Sequence, residues 1–289
     1  MIPASFDYHR PRTLEEAIAL LQRNDGAKLL AGGHSLVPAM RFRLSTPETL
    51  IDLNGVDGLA YVEERGDHLA IGAMTRESAL ERSPVVAARY PLLRDTALVI
   101  ADPLVRNHAT VGGNLAHSDP ANDHPATMLA YGATLVARGP GGTRAIPVDS
   151  FFVGLFETAL QPGEILTEIR VPAPGPGSAG AYLKLERKVG DYAIAAVAVQ
   201  LAVANGAIGA IRIGLTNVSP VPSRAKGAEA ALVGQVPTEA LLEAAGKAAA
   251  GECDPSDDLR GKEDYKRDMV RVLVKRTVRK ALERAGVRP

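Results

Sequence analysis

The sequence predicts an α+β protein in three parts, and three observations carry that prediction. Residues 1–55 alternate helical and strand patterns closely enough to form one small α/β unit. The run Pro172-Ala173-Pro174-Gly175-Pro176-Gly177-Ser178 reads as a linker, because neither regular element continues through such a mixture of proline and glycine. Beyond it, three strand patterns precede three helical ones, the order expected of a sheet covered by helices. The expected domains are therefore 1–55, 56–177 and 178–289.

In chain order, Thr13-Leu14-Glu15-Glu16 is a capping box, with Thr13 accepting the N3 amide and Glu16 reaching back. Leu14, Ala17, Ile18 and Leu21 follow at helical spacing as far as Asn24-Asp25-Gly26. Leu29 to Ala31 reads as a buried strand, Leu36 to Phe42 as a turn or two of helix, and Thr49 to Leu53 as a second strand. Ala60 to Glu64 and Leu69 to Ala73 are strands around Arg65-Gly66-Asp67. Thr75 is placed to cap a helix through Leu80, and Pro84 to open another. Gly132 to Ala137 and Leu166 to Val171 read as strands, and Asp149 to Ala159 as a short helix. In the last part Ala181 to Arg187, Ala193 to Ala204 and Ala207 to Thr216 are strands, and Asn205-Gly206 suits a type I′ hairpin turn. Arg224 to Leu232, Glu239 to Ala250 and Glu263 to Ala285 are helices. The last aligns Val270, Leu273, Val274, Thr277, Val278, Ala281, Leu282 and Ala285 on one face, which must be covered.

Composition narrows the function classes. Lysine plus arginine equals aspartate plus glutamate at 33 each, so no net charge draws the chain to nucleic acid or an anionic membrane. The segment from Leu259 to Arg288 carries 11 basic and 4 acidic residues, but opposite an apolar stripe they read as a solvated or partner-facing surface. The apolar run Ala193 to Val199 falls far short of the ~18 residues of a membrane span. Met1 to Asp7 lacks the basic and apolar regions of a signal peptide. Cys253 is the single cysteine, which fits a cytosolic chain and excludes an iron–sulfur cluster held by four thiolates of this chain. No G-x-S-x-G elbow or H-E-x-x-H is present. His117-Ser118-Asp119-Pro120-Ala121-Asn122-Asp123-His124 holds two histidines and two aspartates, yet the spacing matches no usual zinc or iron set. No metal is expected; the loop reads as one that meets a polar ligand.

Two glycine pairs remain. Leu29-Leu30-Ala31-Gly32-Gly33-His34-Ser35-Leu36 ends an apolar run in adjacent glycines, and Thr110-Val111-Gly112-Gly113-Asn114 repeats the motif about 80 residues later. Adjacent glycines let a turn expose several backbone N–H groups in a row, a concavity that binds anions. Read singly, either pair is equally an ordinary strand-to-helix turn. Asp52 stands about 20 residues after the first pair, as in a Rossmann site, but G-x-G-x-x-G is missing and Val37 occupies the helix-packing position. No Gly-Lys-Ser/Thr follows, so a Walker A loop is excluded as well.

Together the pairs resemble the two FAD signatures of the flavin-binding medium subunits of the xanthine oxidase and molybdenum hydroxylase family. Ile2 to Pro11, Asp119 to Asp123, Lys188-Val189-Gly190-Asp191-Tyr192-Ala193, Gly214 to Val218 and Glu263-Asp264-Tyr265 look most like its aerobic carbon monoxide dehydrogenase branch. The resemblance implies a two-domain FAD-binding fold of the vanillyl-alcohol-oxidase (PCMH) type, plus a C-terminal three-stranded antiparallel sheet with a helical bundle. It implies that Leu29 to Leu36 and Gly112 to Asn114 approach the FAD pyrophosphate from two sides, with Ser35 and Thr110 adding hydroxyls. Asp123 would take ribityl or ribose hydroxyls, Leu166 would touch the cofactor, Lys184 would lie near the flavin ring and Tyr192 over it. Beside those roles, Asp123 also reads as a turn residue and Tyr192 as a core aromatic.

The family further implies that substrate is oxidised elsewhere, at a molybdenum cofactor in a large subunit. Electrons would pass through two [2Fe–2S] clusters of a small subunit to FAD here, then to a quinone-type acceptor. No residue of this chain would oxidise substrate. The assembly would be a dimer of heterotrimers, cytoplasmic or held peripherally at the inner membrane face by the complex. The alternatives are a flavin subunit serving xanthine, aldehyde or N-heterocycle oxidation, and a stand-alone FAD-binding module.

Overall fold

A computed structural model describes the whole chain, Met1–Pro289. The first unit holds β1 (Asp7–His9), α1 (Leu14–Arg23), β2 (Lys28–Leu30), α2 (Leu36–Arg41) and β3 (Thr49–Asp52). Its three strands are parallel in the order β1-β3-β2. The central strand β3 is buried throughout, whereas β2 is an edge and Leu29, Leu30 and Ala31 are only half-buried. A fully buried strand was expected there; the edge position leaves one side of the loop after it open. β1 was not anticipated, since three mixed residues carry no periodic signal. Thr13 caps α1 by accepting from Glu16 N at 3.2 Å, while Glu16 reaches the N–H of Arg12 rather than that of Thr13.

The middle unit begins with β4 (Val62–Arg65) and β5 (His68–Gly72) and continues with six helices. These are α3 (Glu77–Arg82), α4 (Pro84–Arg89), α5 (Pro91–Val99), α6 (Pro103–Arg106), α7 (Val111–His117) and α8 (Asp123–Tyr131). Then come β6 (Thr134–Gly139), β7 (Gly142–Pro147), the hairpin β8 (Phe152–Gly154) and β9 (Glu157–Thr158), and β10 (Ile165–Pro172). Five of these strands make an antiparallel sheet in the order β4-β5-β10-β6-β7. Thr75 does not cap α3: its hydroxyl accepts from Tyr61 N and donates to Tyr61 O, and the helix starts at Glu77. Pro84 does open α4, at the first turn where its missing N–H costs nothing. The helix expected over Asp149 to Ala159 is instead a 3-10 turn and the β8–β9 hairpin, with Phe156 left-handed at φ 57°.

The last unit contains β11 (Ser178–Glu186), β12 (Ala193–Ala204), β13 (Ala207–Thr216) and β14 (Ser223–Arg224) in one antiparallel sheet of that order. It has four strands where three were expected, the fourth being only two residues long. Asn205 and Gly206 both take positive φ, 52° and 76°, as a type I′ turn demands. α9 (Lys226–Leu232), α10 (Glu239–Glu252) and α11 (Glu263–Arg284) follow. Alternate residues of β12 face opposite ways: Ala196 and Ala198 join a core with α5 and α8, while Ala195, Val197 and Val199 join one with α9 to α11. Burial on both faces is why this strand reads as an unbroken apolar run. Every residue of the predicted α11 stripe is buried except Ala285, which is half-buried. Much of its basic face is not free but paired within the chain, Arg271 and Lys275 with Glu243, Arg279 with Glu239, and Lys280 and Arg284 with Asp95. No helix is long and apolar enough to cross a membrane.

Candidate cofactor site

The glycine loops meet where the first two units touch. Gly32 packs so closely on the second loop that an added Cβ would lie 2.5 Å from His108 O and 2.7 Å from Ala109 Cα. A Cβ on Gly113 would stand 3.4 Å from that of Ala31. The rings of His34 and His108 stack with centroids 5.5 Å apart. Gly33 takes φ 76°, the left-handed conformation that turns the chain out of β2.

The N–H groups of Gly32, Gly33, His34 and Ser35 donate to no acceptor within the chain, although the carbonyls of Gly33 and Ser35 accept from Val37 and Ala39. The Ser35 hydroxyl makes no capping bond. Four consecutive unused donors beside a cleft fit an anion with several oxygen atoms. A cavity of about 440 Å³ opens at this loop, lined in part by Arg10, Leu30, Asp52, Asn54, Arg76 and His108. Burial alone would raise the Asp52 pKa, but bonds from the Tyr8 hydroxyl at 2.5 Å and from Asn54 outweigh it, and the carboxyl lies below its ordinary value.

The second pair is built differently from what the sequence suggested. It follows no strand but forms the first turn of α7, capped by Thr110. Gly112 N donates to Ala73 O, Gly113 N to Thr110 Oγ1 and Asn114 N to Thr110 O, so these N–H groups are already used. Gly112 is glycine because a Cβ there would meet Ala73 at 2.5 Å; its role is close packing, not donation. Val111 is wholly buried and donates its N–H to Thr75 O. What this loop offers a ligand is the Thr110 hydroxyl hydrogen and Asn114 Oδ1, a buried acceptor with no partner.

The other predicted residues fall into two places. Asn122 holds Asn114 O at 2.9 Å, and Asp123 begins α8 directly after it. Asp123 is buried, accepting from Tyr182 Oη at 2.6 Å and from Lys184 Nζ at 3.0 Å; Lys184 also donates to Val99 O. Burial pushes the Asp123 carboxyl up, against the pull of the Lys184 ammonium and the Tyr182 hydroxyl. Both carboxylate oxygens are thus held by protein groups, and Tyr182, which the sequence did not single out, belongs to the cluster. Leu166 lies on β10, 5% exposed, in the strand against which α7 packs. Tyr192 is 40% exposed before β12, with the Arg260 guanidinium 5.3 Å from its ring centroid and Asp191 joining the two.

The two histidines of the His117 to His124 stretch, at the end of α7 and the start of α8, do not converge. His117 packs on Phe156 with centroids 5.2 Å apart, and His124 Nε2 meets Glu77 Oε2 at 2.7 Å in the core. No cluster of three or more metal-ligating side chains is present. Of the cavity lining, Asp52 carried a sequence signal, its distance from Gly32. Arg10 falls in the Ile2 to Pro11 stretch that carries the resemblance; Asn54 and Arg76 carry no signal.

Residues 4–174 match the family described as the FAD binding domain in molybdopterin dehydrogenase, and residues 180–281 the CO dehydrogenase flavoprotein C-terminal domain. The carbon monoxide dehydrogenase medium chain of Hydrogenophaga pseudoflava is 47% identical over 287 residues, covering 99% of this chain and all of that one. A solved structure of carbon monoxide dehydrogenase from that organism, lacking the Mo-pyranopterin moiety of its molybdenum cofactor, aligns with TM-score 0.96 at 49% identity over 98% of this chain and 99% of the other. Quinoline 2-oxidoreductase from Pseudomonas putida 86 aligns with TM-score 0.93 at 32% identity over 99% of both.

Proposed function

This chain belongs to the FAD-binding medium subunits of the molybdenum hydroxylases, and we propose that it serves the one that oxidises carbon monoxide. The observation that carries the substrate is the full-length identity of 47% to a carbon monoxide dehydrogenase medium chain. The second reading, a complex acting on an N-heterocycle, is favoured by the same fold in quinoline 2-oxidoreductase at 32% identity. The proposed partners are a large molybdenum subunit and a small iron–sulfur subunit in a dimer of heterotrimers, with a quinone-type acceptor. The lone Cys253 fits that division, because the clusters need thiolates this chain does not have.

The residues present fit FAD. The unused N–H groups of Gly32 to Ser35 are the donors for its pyrophosphate, and glycine serves at 32 and 33 because a Cβ would strike His108 O at the first and strain the left-handed turn at the second. Thr110 and Ser35 add hydroxyl donors, and Asn114 Oδ1 is an acceptor for a sugar or ribityl hydroxyl. When bound, FAD converts single electrons from iron–sulfur clusters into pairs for the acceptor. The chain's own part is to hold, orient and shield. Lys184 supplies a buried cation, held by Asp123 and by Val99 O. Tyr192 offers a ring whose position Arg260 and Asp191 fix. Asp123 fixes Lys184 and Tyr182, and each of its oxygens keeps a lone pair for a ribityl or ribose hydroxyl.

The test is co-expression with the proposed large and small subunits, followed by the visible spectrum and an assay of the purified complex. One FAD per chain and carbon monoxide oxidation are expected. A flavin-loaded complex that oxidises an N-heterocycle but not carbon monoxide would overturn the substrate. No flavin bands in the assembled complex would overturn the site.

A further inference from the structure

The two glycine loops belong to units with separate sheets, so something must set the gap between them. The second loop is bound to the segment around Arg76 by backbone: Gly112 N to Ala73 O, Val111 N to Thr75 O and Glu77 N to Ala109 O, each 2.9–3.0 Å. The Arg76 side chain then leaves that segment and crosses the cleft. Its Nη1 donates to His108 O, and its Nη2 donates to Asn54 Oδ1 at 2.5 Å. Asn54 in turn donates through Nδ2 to Ala31 O at 2.9 Å, the carbonyl just before Gly32. Asn54 itself is fixed by Asp52 Oδ1, which accepts from its N–H at 2.9 Å and from Nδ2 at 2.5 Å, and Asp52 Oδ2 is held by the Tyr8 hydroxyl. A continuous polar chain therefore runs from Ala31 O to His108 O, and both of its side chains line the cavity.

We propose that Asn54 and Arg76 form a staple that sets the spacing of the two FAD-binding loops, acting as positioning residues rather than phosphate ligands. The inference rests on the assignment of these loops to FAD. Arg76 is suited to the task because its planar fork reaches two acceptors at once, His108 O and Asn54 Oδ1, which a lysine cannot do in that geometry. Asn54 is suited because one amide both accepts from Arg76 and donates to Ala31. The two arms are useless separately: without Asn54 the guanidinium holds only its own unit, and without Arg76 the amide holds only its own.

The test uses the full chain in its assembled complex, stripped of flavin and titrated with FAD by flavin fluorescence. Variants are Asn54→Ala, Arg76→Ala, the double variant, and Asn54→Asp, which keeps the acceptor for Arg76 but loses the donor to Ala31. Each single variant is expected to weaken FAD by roughly 5- to 50-fold, the scale of one or two lost hydrogen bonds. The double variant is expected to be no weaker than the worse single one, and Asn54→Asp to resemble Asn54→Ala. Raised salt should weaken FAD equally in wild type and Arg76→Ala, and unfolding of the flavin-free complexes should be unchanged. Multiplicative losses in the double variant would show two independent contacts and overturn the staple. A shallower salt dependence in Arg76→Ala would make Arg76 a phosphate ligand and also overturn it. Wild-type affinity in all four variants would overturn it while leaving the FAD site standing; absence of flavin binding in the wild-type complex would instead remove the site.

Discussion

Replacing Gly32 with alanine tests the closeness of the two loops directly. The added Cβ would lie 2.5 Å from His108 O, about 0.9 Å less than the 3.4 Å of ordinary contact, and 2.7 Å from Ala109 Cα. Both obstacles are backbone, so no side chain can swing aside; the loops must part. Overpacking of this kind costs about 1–3 kcal/mol in stability. If FAD needs both loops at their present spacing, a similar loss appears in binding, roughly 5- to 150-fold in Kd. The assay is FAD titration of the flavin-stripped complex, with chemical unfolding of the same sample. Gly26→Ala is the control: φ is 71° but nothing lies within 4 Å, so it costs about 1 kcal/mol of backbone strain and leaves FAD affinity unchanged. Wild-type affinity for FAD in Gly32→Ala would refute the reasoning, because it would mean that the spacing of the loops does not matter to the ligand.

Two further predictions concern how the units hold together and how they respond to acid. Asp95 accepts from Lys280 at 3.0 Å, from both Arg284 nitrogens at 2.7 and 2.9 Å, and from Tyr182 N, tying α11 to α5. Asp95→Ala should cost about 2 kcal/mol, between an exposed pair and a fully buried one, with faster hydrogen exchange in the last turns of α11; a loss below about 0.5 kcal/mol would contradict this. Burial alone would raise the Glu168 pKa, but Tyr61 Oη at 2.6 Å and Arg170 Nε at 2.6 Å outweigh it and hold the carboxyl below its ordinary value of 4.5. Its stabilisation is therefore fully present above pH 4.5 and is lost as pH falls through the lower folded value, so Glu168→Gln should be less stable at neutral pH with a flatter profile below it. An unchanged slope in unfolding free energy against pH would count against the pairing.

How much could be read beforehand depended on whether the signal was local. The Thr13 cap, Pro84 at a helix start, the Asn205-Gly206 turn and the α11 stripe are set by neighbours in sequence, and each appears where expected. α8 was hidden because all nine of its residues are buried, which leaves no polar face and no period. The β8–β9 hairpin reads as helix in the sequence because its turn uses Phe156 at positive φ, where glycine or asparagine is the usual mark. In the site, the Gly32 loop was legible as a row of donors. Gly112 and Gly113 are legible as a glycine pair, whereas their close packing on Ala73 and Thr110 is a tertiary contact with no mark in the sequence. Asn54 and Arg76 were beyond reach: their bond joins segments 22 residues apart across two units and leaves no pattern in either.

The central claim is that the Gly32 to Ser35 N–H groups hold the FAD pyrophosphate, and a structure of the assembled, FAD-loaded complex tests it most directly. Pyrophosphate oxygens are expected within hydrogen-bond distance, about 3 Å, of several of those nitrogens, with the Asn54–Arg76 link intact beside them. Pyrophosphate bound elsewhere, with these four N–H groups turned to water, would contradict it.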